Sequence, residues 1–301
     1  MCGLFGYAST KPIKRIQQVM TQLAIYNEER GKASWGVSDG KTVWKDIGPI
    51  ARNLYKYPVP DQGILIGHTR AASVGDIKKE NAHPFSFKAK DGSTVIGCHN
   101  GSISNWTELN TKYDRKSEVD SMHIFQHIAE DRPLDDLVGY GAIVFVKQGG
   151  LYFGRFNSGS LAIAQIEKDQ GLVWSSEEGA LRKSLEAANL KYFTYKVTED
   201  VLFFYSKGIL YSSKEKIGIN STNKSFFRNH RNWEDEMDNH PSDWRQNFRP
   251  NQTNQTNKYK DQRTIKLRII RSLQPNILLT PQEQEIETIK EKVYNNMAVS
   301  T

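Results

Sequence analysis

Glycine is spread so unevenly along this chain that it sets the domain plan. Of the 22 glycines in 301 residues, 21 precede residue 214, and only Gly218 follows. Short strands ended by Gly or Asp can therefore be built in the first part and hardly at all in the second. Residues 214–301 hold 12 Asn and 7 Gln instead. Tracts such as Asn251-Gln252-Thr253-Asn254-Gln255-Thr256-Asn257 offer almost no apolar surface to bury. A domain boundary is placed near residue 213, leaving a first unit of about 210 residues, enough for one full hydrophobic core. Residues 214–301 read as a polar, Asn/Gln-rich extension, partly disordered.

Within residues 1–213 the periodicity alternates between 2 and 3.6. Strands are predicted at Cys2–Ala8, Gly63–Gly67, Thr94–His99, Ala142–Lys147, Leu151–Phe156, Leu161–Gln165, Leu172–Ser175, Tyr192–Val197 and Val201–Tyr205. Helices are predicted over Ile13–Glu29, with Pro12 in its first turn, over Val119–Ala129 and over Glu177–Ala188. Many strands with few helices define an α+β class, sheets packed together under helical layers.

Composition narrows the function. The chain is 38% hydrophobic and 25% charged, with no apolar run of membrane-spanning length. No basic segment precedes the apolar N-terminal residues as in a secretory signal, so a cytoplasmic protein without membrane attachment is expected. Two cysteines, Cys2 and Cys98, cannot make a disulfide framework, and no Cys/His cluster calls for a metal. Phosphate-cradling Gly-Lys-Ser/Thr and Gly-x-Gly-x-x-Gly patterns are missing. The net charge of +7 divides modestly, 26 basic against 23 acidic residues before 214 and 15 against 11 after it.

A cysteine directly after the initiator methionine is the sharpest chemical signal. Removal of Met1 would place the thiol beside a free α-amino group of pKa about 8, so that one residue supplies nucleophile and base. Further motifs follow in order: Gly67-His68-Thr69-Arg70-Ala71-Ala72-Ser73-Val74-Gly75, Asn81-Ala82-His83-Pro84-Phe85, His99-Asn100-Gly101-Ser102, and Ser117-Glu118-Val119-Asp120-Ser121. Taken singly, Asn-Gly is a common turn dipeptide and a loop Arg or Asp is usually a surface charge. Taken together with Arg30-Gly31, Ser34-Trp35-Gly36 and Trp174-Ser175-Ser176-Glu177, they resemble the glutaminase domain of class II glutamine amidotransferases over roughly residues 2–213.

That resemblance implies an N-terminal-nucleophile hydrolase fold, a four-layer α-β-β-α sandwich, and hydrolysis of L-glutamine through a Cys2 thioester without metal or cofactor. It assigns Asn100 and the Gly101 N–H to the oxyanion hole. Arg70 would hold the substrate carboxylate, helped by Ser73 where the family commonly has Thr, and Asp120 the substrate ammonium. His68, His83 and His99 would shape the pocket. The 70–75 segment departs from the familiar pattern, which carries Trp after Arg and His before Gly. The roughly 88 residues after 213 are too few for the usual ammonia-consuming domains. The acceptor is thus expected on a separate synthase, the alternatives being a stand-alone γ-glutamyl amidohydrolase or a silent scaffold with a binding tail.

In the extension, aromatics interleave with arginines over Phe226–Trp233 and Trp244–Arg249, a pattern that could stack bases and neutralise phosphates. Glu234, Asp235, Glu236 and Asp238 interrupt it, which favours a docking extension or linker over nucleic-acid binding. A strand is predicted at 263–272. A capping box at Thr280-Pro281-Gln282-Glu283 opens a predicted helix over 281–294, whose stripe Ile286, Ile289 and Val293 must pack on something.

Overall fold

The computed structural model describes residues 1–167, 171–195, 197–221, 286 and 288–293. Its elements, in chain order, are β1 (Gly3–Ser9), α1 (Ile16–Glu28), β2 (Ser34–Ser38), β3 (Val43–Ile47), β4 (Gly63–Arg70), β5 (Phe85–Lys88), β6 (Thr94–Ile103), α2 (Trp106–Lys112), α3 (Met122–Ala129), β7 (Gly139–Lys147), β8 (Gly150–Phe156), β9 (Ala162–Ile166), β10 (Gly171–Ser175), α4 (Glu178–Ala187), β11 (Tyr192–Tyr195), β12 (Val201–Ser206) and β13 (Ile209–Lys216). Two sheets result, one ordered β11-β9-β10-β1-β4-β2-β3 and the other β13-β12-β8-β7-β6-β5. Every ladder between named strands is antiparallel.

Period-2 alternation distributes the strand side chains among three cores. Leu4 and Ala8 of β1 meet Cys98 of β6 and Ala142 and Val144 of β7 in a core shared by the two sheets. Phe5 and Tyr7, on the other face of β1, pack with Met20 and Leu23 of α1 and Leu181 and Leu185 of α4. Ile143 and Phe145 of β7 pack with Ile124 and Phe125 of α3. Glycine is obligatory where strands and rings crowd: a Cβ at Gly6 would lie 2.1 Å from the Leu65 carbonyl oxygen and 2.4 Å from the Trp174 ring.

Several expected boundaries move, each for a local reason. The first helix starts at Ile16 and not at Ile13, because Arg15 adopts a left-handed φ of 62° and the Ile13 N–H is drawn to Asp61 O at 2.8 Å. Pro12 therefore precedes the helix. The β6 strand does not stop at His99 but continues to Ile103, so Asn100-Gly101 is paired backbone opposite Ala142 and Gly141 of β7, not a turn. The α3 helix begins three residues later than expected, after Asp120 has turned its carboxylate onto the Ile103 N–H at 2.7 Å. At the far end β13 runs across position 213, and Ile217 and Ile219 are buried beyond it.

Residues 286 and 288–293 are helical, and Ile286, Ile289 and Val293 are buried in the core on the α1/α4 side of the larger sheet. The expected strand at 263–272, the aromatic and arginine segments at 226–249 and the remainder of the expected helix 281–294 lie outside the described residues. Among the described residues no helix is long and apolar enough to cross a membrane.

Candidate active site

Cys2 directly precedes β1, between strands β4 and β10 that flank it in the sheet. Its thiol donates to Ala71 O at 3.6 Å, and its carbonyl accepts from Arg30 Nε at 2.7 Å. Arg30 is itself held by an ion pair with Glu177. The Arg30-Gly31 turn fits against β4 only without a side chain, since a Cβ at Gly31 would sit 2.3 Å from the Arg70 carbonyl carbon.

Two charged side chains, Arg70 and Asp120, act on the Cys2 thiol. Burial pushes the Cys2 thiol up, while the Ala71 bond, the chain's N-terminal ammonium and Arg70 pull it back and Asp120 adds to the rise. Arg70 is buried at the end of β4. Its guanidinium donates to three carbonyls of the following loop, Val74 at 2.5 Å, Gly75 at 3.2 Å and Asp76 at 3.1 Å. That loop is also tied to the segment bearing Asp120, because Glu118 accepts from Lys78 and from Asn81 Nδ2 at 3.1 Å. Ser73 is exposed on the same loop.

Asn100 lies on β6 in the opposite sheet, its Nδ2 donating to Ser176 Oγ at 2.8 Å. The same oxygen accepts the Leu4 N–H at 3.1 Å. Gly101 is sterically required, because a Cβ there would meet Tyr140 O at 2.0 Å. Cys2, Arg70 and Asp120 are thus electrostatically linked, and Asn100 is joined through Ser176 to β1, the strand that follows Cys2.

The three histidines are buried. His99 Nδ1 pairs with Ser121 Oγ at 2.8 Å and its Nε2 donates to Tyr140 O at 3.2 Å. His68 Nε2 donates to His99 O at 3.1 Å, and the His68 and His83 rings lie 4.1 Å apart. Burial holds His68 at a pKa of about 3 and His83 well below the usual imidazole value. His68 and His83 are therefore neutral at neutral pH. Cys98 belongs to the core between the sheets, where burial pushes its thiol well up.

Arg30 and Ser176 stand in the sequence only as parts of larger motifs, with nothing local to give them a role. Their partners lie 28, 76 and 172 residues away, and such long-range contacts have no local signature. The available signal was two serines closing the apolar strand β10.

Residues 1–133 match the family described as glutamine amidotransferases class-II, and this part of the chain is a class II glutamine amidotransferase domain. Among curated relatives, the glutamine–fructose-6-phosphate aminotransferase (isomerizing) of Sulfurisphaera tokodaii is 25% identical over 193 residues, 60% of this chain and 32% of that protein. The enzyme of the same name from Listeria innocua is 38% identical over 118 residues, 38% of this chain and 19% of that protein. The chain therefore spans a third or less of the length of either. Two solved structures share the fold. One is described as the allosteric regulatory enzyme of purine biosynthesis, with a TM-score of 0.57 at 19% identity over 73% of this chain and 50% of that one. The other is the B. subtilis glutamine phosphoribosylpyrophosphate amidotransferase complexed with ADP and GMP, with a TM-score of 0.52 at 19% identity and the same coverage.

Proposed function

We propose that this protein hydrolyses the side-chain amide of L-glutamine with Cys2 as an N-terminal nucleophile, in a four-layer α-β-β-α sandwich followed by a polar extension. The observation that carries this reading is the placement of Cys2 at the head of β1 within the influence of both Arg70 and Asp120, one partner for each charge of a free amino acid. Once Met1 is removed, the Cys2 α-amino group takes the thiol proton as sulfur attacks the amide carbon. Asn100 Nδ2–H and the Gly101 N–H stabilise the oxyanion. The C–N bond breaks, the nitrogen leaves as ammonia with that proton, and water cleaves the γ-glutamyl thioester to glutamate. Arg70 and Ser73 hold the α-carboxylate, and Asp120 the α-ammonium.

The relatives named above are aminotransferases and amidotransferases, enzymes whose names describe passing nitrogen onward. Ammonia from this site is accordingly assigned to an acceptor on a separate synthase, in the cytoplasm.

The test is exposure to a diazoketone analogue of glutamine followed by intact-mass measurement and peptide mapping, with Cys2→Ala as control. The expected result is an adduct on a peptide that begins at Cys2, and ammonia release by the unlabelled protein. Met1-free protein that takes no adduct under excess reagent overturns the assignment.

A further inference from the structure

We propose that Ser176 is a positioning residue of this reaction, fixing the Asn100 amide so that its second N–H faces the carbonyl attacked by Cys2. The inference rests on the glutaminase reading and adds a residue to it. Ser176 is 2% exposed and sits just past β10, where its N–H, its carbonyl and its hydroxyl oxygen all have partners. Its N–H donates to Leu4 O at 2.7 Å, and its carbonyl accepts from Ser160 Oγ at 2.6 Å. Its Oγ accepts the Leu4 N–H at 3.1 Å and Asn100 Nδ2–H at 2.8 Å. The hydroxyl oxygen is therefore locked to β1 by a reciprocal pair of bonds with Leu4, two residues after the nucleophile.

Asn100 needs such a partner. The terminal torsion of an asparagine side chain is broad, with no sharp well of its own, whereas an oxyanion donor contributes only if it is aimed before charge develops. A primary amide has two N–H groups. Giving one to Ser176 Oγ defines the amide plane and leaves the other for the oxyanion. Because Asn100 belongs to β6 and Leu4 to β1, in different sheets, Ser176 makes one oxygen the common reference for nucleophile and oxyanion donor. A small displacement of either sheet then carries both reacting groups together.

The test is a double-mutant cycle on the full chain with Ser176→Ala and Asn100→Ala, rates being normalised to Cys2 titrated by a small alkylating agent. Ser176→Ala is expected to lower kcat for glutamine hydrolysis about ten- to a hundredfold, somewhat less than loss of a whole oxyanion donor, with KM within about twofold. In the Asn100→Ala background the same substitution is expected to change kcat less than about twofold, since its effect passes through Asn100. Ser176→Cys, with a weaker acceptor of similar size, should fall between wild type and Ser176→Ala, and it serves if the alanine variant does not fold. An unchanged kcat in Ser176→Ala, or a loss repeated in full without Asn100, overturns the assignment of Ser176 alone. Wild-type protein that neither releases ammonia nor forms the Cys2 adduct overturns the glutaminase reading and this inference with it.

Discussion

Arg70 has two tasks, which a lysine is not expected to share. Its planar fork reaches three carbonyls of the 74–76 loop while its charge acts on Cys2. An ammonium group is a compact point charge on a flexible stem and cannot reproduce that divided geometry. Arg70→Lys is expected to raise KM for glutamine about tenfold or more, with a smaller effect on the normalised kcat, since a hydrogen bond to a charged group contributes about 1.5–3 kcal/mol. Steady-state ammonia release over a glutamine series measures this, and a KM equal to wild type would remove Arg70 from carboxylate binding. Glu118 tests the loop separately. Its bonds to Lys78 and Asn81 brace the loop from the Asp120 side, so Glu118→Ala should raise KM several-fold while leaving the rate of Cys2 alkylation by a small neutral reagent close to wild type.

At the scale of the element, β6 carries Asn100 and Gly101 because it runs on past His99 against β7. Gly101→Ala would force its Cβ to within 2.0 Å of Tyr140 O and 2.6 Å of Gly141 Cα. Both are backbone atoms, so the two strands must separate. The expected cost is at least about 2 kcal/mol, as for other overpacked sites, read as a lower urea midpoint. Pairing of β4 with its neighbours also buries His68 beside His83, with a consequence for pH. An unfolded imidazole takes up a proton below about pH 6.5, whereas folded His68 does so only near 3 and His83 likewise resists. The unfolded state therefore binds more protons at mild acidity, and stability present above pH 6.5 is lost as pH falls. Between pH 6.5 and 5 each such histidine removes up to about 2 kcal/mol. Urea titrations across that range should show the decline, and His83→Phe, which retains the ring, should flatten it. The core strands β1, β4, β7, β8 and β10 were legible because apolar side chains fill their faces. The strands β2, β3, β5 and β13 were not. Ser34–Ser38 is buried through serine and glycine as well as Trp35 and Val37, Val43–Ile47 lies at a sheet edge, Phe85–Lys88 is four residues long, and Ile209–Lys216 ends in a charged run that resembles the extension after it. The residues proposed for the site stand in ordered motifs, whereas bonds such as Asn100 to Ser176 join distant segments and have no sequence period.

The whole molecule raises a different question, whether the helical residues 286 and 288–293 belong to the core of the amidotransferase domain. The charge and glycine distributions separate the tail, yet Ile286, Ile289 and Val293 are buried with Met20, Leu23, Leu181 and Leu185 in one cluster. Each fully buried aliphatic side chain contributes about 1.5–3 kcal/mol, against which stands the backbone entropy of ordering the helix, about 1–2 kcal/mol per residue. The net gain is therefore modest, and the interaction depends on the tether that keeps the helix close to its site. Ile289→Asp places a charge in an apolar core without a partner, a change that costs far more than the lost contact. If the helix is integral, this variant and a chain ending at Ser221 should both melt lower than wild type by several degrees, at about 2–4 °C per kcal/mol for a domain of this size. Their normalised kcat at 25 °C should stay near wild type, because the buried stripe packs on the α1/α4 side of the larger sheet. Unchanged melting in both would mean that the buried stripe adds nothing to the core and that the amidotransferase domain ends with the strands.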